Sequence, residues 1–272
     1  MFPKLEVTIF APMLVSLKIK GYISDKYLAV GLSSLVKADI DMVNKHDEES
    51  DTNSDSDRDT DSEADRDTDS EADSDTESEF DSGAYYSGIK SDSEIAAVKE
   101  IGINVMLLLA SVCNAKSLTV STSLLEVIGK NNGHLPIPFS ALRQLRLKTM
   151  LSRESIQGIK YILRNSCILE KLLVEIVRTK ASTQIKIWEY WGADLLTDLE
   201  GIFYDLRFAE FRNVRGCLIE LEILKGLLKN ATGLEKLIIF ISKGQPYECR
   251  RQLMKKIIES PKASSSAAVS FF

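Results

Sequence analysis

The sequence predicts an α/β solenoid, a parallel sheet of short strands with helices on the convex side, interrupted by a long disordered acidic insert. Three observations predict it. A six-residue pattern, L-x-x-L-x-I, returns seven times along the chain. The intervals between its copies carry apolar residues at helical spacing. One segment between the second and third copies has no apolar face at any period.

The strands come first. Leu5, Val7 and Ile9 alternate as a half-buried strand would. The repeated pattern then appears as Leu14, Leu17, Ile19; Leu35, Ala38, Ile40; Ala115, Leu118, Val120; Leu142, Leu145, Leu147; Leu169, Leu172, Val174; Leu206, Ala209, Phe211; and Leu234, Leu237, Ile239. Its central residues, at 17, 38, 118, 145, 172, 209 and 237, are spaced by 21, 80, 27, 27, 37 and 28. Removing an insert of roughly 45 residues brings the interval of 80 to about 35. A period of about 20–29 with this pattern is the leucine-rich-repeat signature, one short strand per turn.

The returns follow. Between Ser93 and Val112, the residues Ile95, Val98, Ile101, Val105, Leu108 and Val112 recur at three or four, with Ser93 as N-cap. Ser152 caps a second helix through Ile156, Ile159, Ile162 and Leu163, ending before Asn165. A third carries Leu218, Leu221, Leu224, Leu227 and Leu228 and ends at Asn230. A fourth runs from about Tyr247 to Ser260 and is stopped by Pro261.

The chain has 272 residues, 44% hydrophobic, enough for a core, and a formal charge of −6. That charge is a sum of opposites. From Asp47 to Asp81 there are 18 Asp/Glu against 2 Arg, a net of −16; the remainder holds 32 Lys/Arg against 22 Asp/Glu, a net of +10. Residues 57–64 read DRDTDSEA, 65–72 repeat it, and 73–80 give a degenerate copy. Polar octads cannot offset their ordering entropy by burial, so disorder is expected from Asp47 to Asp92. Three readings of the segment stand: a solvated spacer, a phosphorylation target, and a metal loop. Ser56, Thr60, Ser62, Thr68, Ser70, Ser74, Thr76 and Ser78 each have an acidic residue three positions later, the spacing acid-directed kinases select. Asp57, Asp59 and Asp61 resemble an EF-hand start, but Ser62 stands where that loop requires glycine.

Other chemistry is sparse. No metal site, cofactor or catalytic residue is expected. There is no Walker loop, GxSxG, GxGxxG or HExxH. The histidines, His46 and His134, lie apart from each other and from any nucleophile motif. Cys113, Cys167, Cys217 and Cys249 form no CxxC and read as reduced residues of a nuclear or cytoplasmic protein. The longest apolar run, Val105 to Val112, is too short to span a membrane, and the N-terminus lacks the basic region of a signal peptide. From Phe139 onward there are 22 Lys/Arg against 14 Asp/Glu, but they are spread along helix exteriors and loops. Only Arg250, Arg251, Lys255 and Lys256 cluster, so nucleic acid is not an expected partner.

The stretches APMLVSLKIKGYISD, LPIPFSALRQLRLKTMLSRESIQGIKYILRNSCILEKLLVEI and LRFAEFRNVRGCLIELEILKGLLKNATGLEKLIIF, with the ending PKASSSAAVSFF, resemble the body of plant F-box/FBD/LRR-repeat proteins. The resemblance covers nearly everything outside the acidic insert. With the acidic insert, which is no part of the family pattern, at 47–92, the expected organisation is first repeat strands in 1–46, a solenoid in 93–200 and, as the resemblance implies, an FBD-like C-terminal module in 201–272. The resemblance also implies target selection for a cullin-based ubiquitin ligase, with no enzyme activity of the chain's own. The family's F-box should precede the repeats, whereas MFPKLEV already reads as a repeat strand. Docking of the cullin adaptor is therefore not expected. A truncated or dominant-interfering relative without ligase coupling is the competing expectation.

In a leucine-rich repeat the outward strand positions form the ligand face. They are Lys18 and Lys20, Asp39 and Asp41, Thr119 and Ser121, Arg146 and Lys148, Leu173 and Glu175, Glu210 and Arg212, and Ile238 and Phe240. Mixed charge with apolar Leu173, Ile238 and Phe240 suits a protein partner better than a phosphate backbone. Trp188, Tyr190 and Trp191, in the 37-residue interval, would cover the core edge or anchor that partner.

Overall fold

The computed structural model describes residues 5–23, 25–43, 92–131, 137–178 and 203–272. It contains ten strands: β1 (Glu6–Phe10), β2 (Ser16–Tyr22), β3 (Lys26–Val30), β4 (Lys37–Val43), β5 (Ser117–Val120), β6 (Gln144–Thr149), β7 (Lys171–Ile176), β8 (Phe208–Val214), β9 (Lys236–Ile241) and β10 (Ala268–Phe271). Five helices are α1 (Asp92–Ser111), α2 (Thr122–Lys130), α3 (Arg153–Arg164), α4 (Leu218–Asn230) and α5 (Tyr247–Ile258). The fold is mixed α/β, built on a parallel sheet. Eight strands lie side by side in the order β10-β9-β8-β7-β6-β5-β4-β2, every pairing parallel.

The seven central residues of the sequence pattern fall in one row across this sheet. Leu17 pairs with Ala38, Ala38 with Leu118, Leu118 with Leu145, Leu145 with Leu172, Leu172 with Ala209 and Ala209 with Leu237. The next inward row is Ile19, Ile40, Val120, Leu147, Val174, Phe211 and Ile239. Both rows are buried. A slip of one residue anywhere would turn a row of leucines to the opposite face, so burial fixes the register.

The first residue of the pattern has its own local structure. Its N–H closes a turn onto the carbonyl three residues earlier: Leu14 to Ala11, Leu35 to Leu32, Ala115 to Val112, Leu142 to Phe139, Leu206 to Phe203 and Leu234 to Ala231. Two successive N–H groups at each following strand start then share one carbonyl of the previous strand start. Lys116 and Ser117 use Val36, Arg143 and Gln144 use Lys116, and Glu170 and Lys171 use Arg143. Arg207 and Phe208 use Glu170, and Glu235 and Lys236 use Arg207. The repeats are thus joined by the same backbone contact from β4 to β9.

Helices return the chain to the next strand as expected, with ends close to the sequence reading. Ser152 Oγ accepts from Ser155 N at 3.2 Å and caps α3. In α1 the helix already begins at Asp92, so Ser93 stands inside it. Of the expected apolar stripe, Val105, Leu108 and Val112 are buried, Ile101 is half-buried and Val98 is exposed. Helices α2 and α3 approach closely: a Cβ on Gly129 would sit 1.9 Å from the Glu154 carbonyl oxygen, and one on Gly158 would sit 2.1 Å from that of Leu125.

The first returns are strands. β1 and β3 pair in parallel as a separate two-stranded sheet, with Val7 opposite Tyr27 and Ile9 opposite Ala29, and α1 packs on β3. The last three strands, β8, β9 and β10, belong to the main sheet, with β8 pairing with β7 from Lys171/Phe208 to Glu175/Arg212. The expected disordered insert from Asp47, with its eight phosphorylation candidates and His46, lies outside the described residues. So do His134 and the Trp188, Tyr190, Trp191 group.

Candidate partner-binding face

Strand geometry places the candidate residues before any question of function. Because side chains alternate across a strand, the residues flanking each buried central position share the opposite face. Lys18, Asp39, Thr119, Arg146, Leu173, Glu210 and Ile238 accordingly occupy one register row. Two positions further on, Lys20 pairs with Asp41, Lys148 with Glu175, and Glu175 with Arg212. Phe240 follows in β9, beside an irregular register between Phe211 and Val214.

Many of these groups are partnered within the face. Lys18 Nζ lies 3.5 Å from Asp39. Lys148 Nζ donates to Asp41 Oδ2 at 2.8 Å, reaching from β6 over β5 to β4. That bond, ahead of the remaining attraction of Asp41, Asp39 and Glu175, raises the Lys148 pKa above the ordinary lysine value despite partial burial. Arg212 Nε donates to Glu210 Oε1 at 2.5 Å and its guanidinium lies 4.9 Å from the Phe240 ring centre. Phe240 stacks on Phe272, centroids 5.2 Å apart and planes at 28°. Phe272 extends the aromatic end of the face. The alternation of the last strand was the signal for it, but its stacking partner depended on the register.

Two expected contact residues do not present themselves to a partner. Ser121 is buried: its hydroxyl donates to Met42 O at 2.8 Å and accepts from Met42 N at 3.1 Å. It has turned sideways to satisfy the end of β4, which corrects its expected role. Thr119 is 8% exposed, sheltered in the row by its neighbours. Glu210 is equally buried and takes part through its bond to Arg212. The groups that remain accessible are Lys18, Lys20, Arg146 and Arg212, with half-exposed Asp39, Asp41, Lys148, Leu173, Glu175, Ile238 and Phe240. Leu173 stands between Arg146 and Glu210 in a shallow depression also lined by Glu175 and Arg212.

Among the described residues, no group of three or more His, Cys, Asp or Glu side chains is placed to hold a metal ion. No described helix is long and apolar enough to cross a membrane. What the face offers is alternating charge around the half-exposed apolar side chains Leu173, Ile238 and Phe240.

An Arabidopsis thaliana protein named as an F-box/FBD/LRR-repeat protein is 25% identical over 187 residues, covering 62% of this chain and 36% of its own length. A second, named as an F-box protein from the same plant, is 30% identical over 114 residues, 40% of this chain and 30% of its own length. The homologues are plant F-box proteins. This chain spans about a third of the length of each. No family model matches it, and no solved structure does.

Proposed function

We propose that this chain is a non-enzymatic recognition module, a leucine-rich-repeat solenoid with an FBD-like C-terminal segment from 201 to 272, that binds a protein target through the outward sheet face. The observation that carries the reading is the single register row in which apolar Leu173 and Ile238 sit among partly self-neutralised charge. An apolar centre with a paired polar surround is how protein interfaces keep specificity without exposing a large greasy patch. The names of the relatives support target selection for an F-box-type ubiquitin ligase as the setting.

Affinity purification from plant extract, with mass spectrometry, tests it. Wild-type chain is compared with an Arg146→Glu/Leu173→Asp/Ile238→Asp variant and with a Lys225→Glu control on α4. The reading requires a protein retained by wild type and control and lost by the triple variant, all three melting within a few degrees of one another. Identical protein sets from all three would overturn it. Cullin and its adaptor among the retained proteins would support the ligase setting; a target retained without them would support recognition alone.

A further inference from the structure

A second surface of different chemistry lies at the C-terminal end of the sheet. A groove of ≈720 Å³ is floored by Ile241, Met254, Ile258 and Phe271, with Tyr247 and Phe272 at its sides. Arg250, Arg251 and Lys255 form its lip, against one carboxylate, Glu259. Tyr247 is 80% exposed, Phe272 62% and Ile258 57%, so the aromatic and aliphatic walls face open space among the described residues. Isolated exposed apolar residues need no explanation, but a contiguous set around a concavity does.

The cations of this lip are poorly matched within the fold. Arg251 reaches Glu248 only at 4.0 Å and Lys255 reaches Glu259 at 3.9 Å, both between exposed side chains. Arg250 has no ion-pair partner among the described residues. Paired charges on the sheet face leave little field outside it; here Arg250 adds a positive charge beyond the two loosely held pairs.

The groove also borders an open strand edge. Among the described residues β10 pairs with β9 and with no other strand. Ala268 N donates to Glu235 O and Phe272 N to Ile239 O, both at 3.0 Å. In a parallel ladder the intervening residues point the other way, so Val269 and Phe271 turn their backbone N–H and C=O outward. Such an edge is a template for one more strand.

We propose that this groove binds an extended acidic peptide segment of a partner protein, which adds as a strand to β10. Its backbone bonds to Val269 and Phe271; of the alternate side chains that face α5, the apolar ones enter between Phe271, Met254 and Ile258 and the acidic ones meet Arg250, Arg251 and Lys255. The groove shares Phe272 with the aromatic end of the outward face but none of the residues around Leu173, so substitutions at Arg250, Arg251 or Ile258 and at Leu173 separate the two.

The test uses fluorescence anisotropy with the full chain and a fluorescein-labelled ten-residue peptide that carries Val, Phe, Asp and Glu at alternate positions with Thr between them. Two controls are a peptide with Ser in place of Val and Phe, and one with Lys in place of the acids. The acidic-apolar peptide should bind best, with affinity falling but not vanishing as salt rises from 50 to 300 mM, values of the order of the Debye screening range. Arg250→Glu/Arg251→Glu and Ile258→Asp should each weaken it about tenfold or more, with unchanged melting temperature, whereas Lys148→Ala on the sheet face should not. These side chains are exposed, and circular dichroism checks that both variants fold. Equal binding of the Ser peptide would mean charge adhesion alone and overturn the proposal, as would indifference to both groove variants. A chain lacking Asp47–Asp81 that binds the peptide about tenfold more tightly would assign the groove to this chain's own acidic segment and overturn a partner in trans.

Discussion

Arg178, two residues beyond β7, pairs through its guanidinium with Oε1 of Glu220 in the first turn of α4. The other oxygen, Oε2, accepts from Arg215 N at 2.8 Å and Gly216 N at 2.7 Å. Cys217, at the N-cap, makes no capping bond with its side chain. Glu220 therefore fastens the loop before α4 to the helix's first turn and ties both to the segment after β7. Glu220 is 2% exposed. Glu220→Ala leaves a largely buried guanidinium and two backbone donors without an acceptor, and should cost about 3 kcal/mol in urea unfolding. Arg178→Met should cost less, because the carboxylate keeps its two backbone donors. Equal, negligible losses from both would remove this tie from the account.

Lys148 and Asp41 are 107 residues apart and join β6 to β4 over β5. The folded lysine pKa is raised, so its stabilisation is complete below the ordinary value of 10.5 and is lost as pH rises through the higher folded value. Both side chains are about a third or a quarter exposed, which holds the contribution to about 1 kcal/mol or less. Wild type should therefore lose slightly more stability than Lys148→Met between pH 9.5 and pH 11.5, a window bracketing about the lysine range. Parallel stability curves for the two proteins would contradict the linkage.

The α2–α3 contact depends on two glycines. In Gly158→Ala the new methyl meets a backbone carbonyl, which cannot swing aside, so the helices must part; a loss of about 2–3 kcal/mol is expected. Gly102→Ala provides the contrast. Its Cβ would meet the Asn131 side-chain amide, which can rotate away, although it then gives up a 2.7 Å bond to Val127 O. With the gain in helix propensity, that variant should stay within about 1 kcal/mol of wild type. Denaturant midpoints measured side by side decide the matter, and a reversed order would refute the backbone clash.

Cys217 has its thiol pKa pushed up to about 11, first by burial and then by the Glu220 charge beside it. Its neutral form is favoured in the fold, so this stability is present below the unfolded thiol pKa and declines as pH rises toward 11. At pH 8 it should react with iodoacetamide far more slowly than Cys167 and Cys249, which are exposed. Mass-spectrometric counting over time should show two fast sites, with Cys217 modified only after denaturant is added. Rapid alkylation at Cys217 in the native protein would go against its burial.

The main sheet was legible because one inward row needs one residue type at one position. Leu17, Leu118, Leu145, Leu172 and Leu237 mark strands plainly, and the pattern held even where Ala38 and Ala209 replaced leucine. Helix ends were legible where a cap or breaker stood, as at Ser152, Asn165 and Pro261. Helix α2 went unread: Leu124, Leu125 and Ile128 are buried, but nine residues give barely two turns of periodicity. The pairing of β1 with β3 was not legible either, since alternation in Val7 and Ile9 announces a strand without naming its neighbour. On the candidate face, sequence placed residues on the correct side of each strand. It could not see that Ser121 would turn toward Met42, or that Lys148 would cross a whole strand to Asp41, because both depend on register between distant segments.

The change from strand returns to helical ones has a geometric consequence. Paired strands sit about 4.8 Å apart, whereas packed helices need about 8–10 Å. Beside β2 and β4 the return layer, β1 with β3, advances at the same pitch as the sheet it covers. From α1 onward the outer layer is wider than the inner one, and the surplus can be absorbed only by bending. Those spacings predict a flatter surface around Lys18 and Asp39 than around Arg146 and Leu173. A rounded partner would seat in the more curved part and meet the flatter part only at its rim.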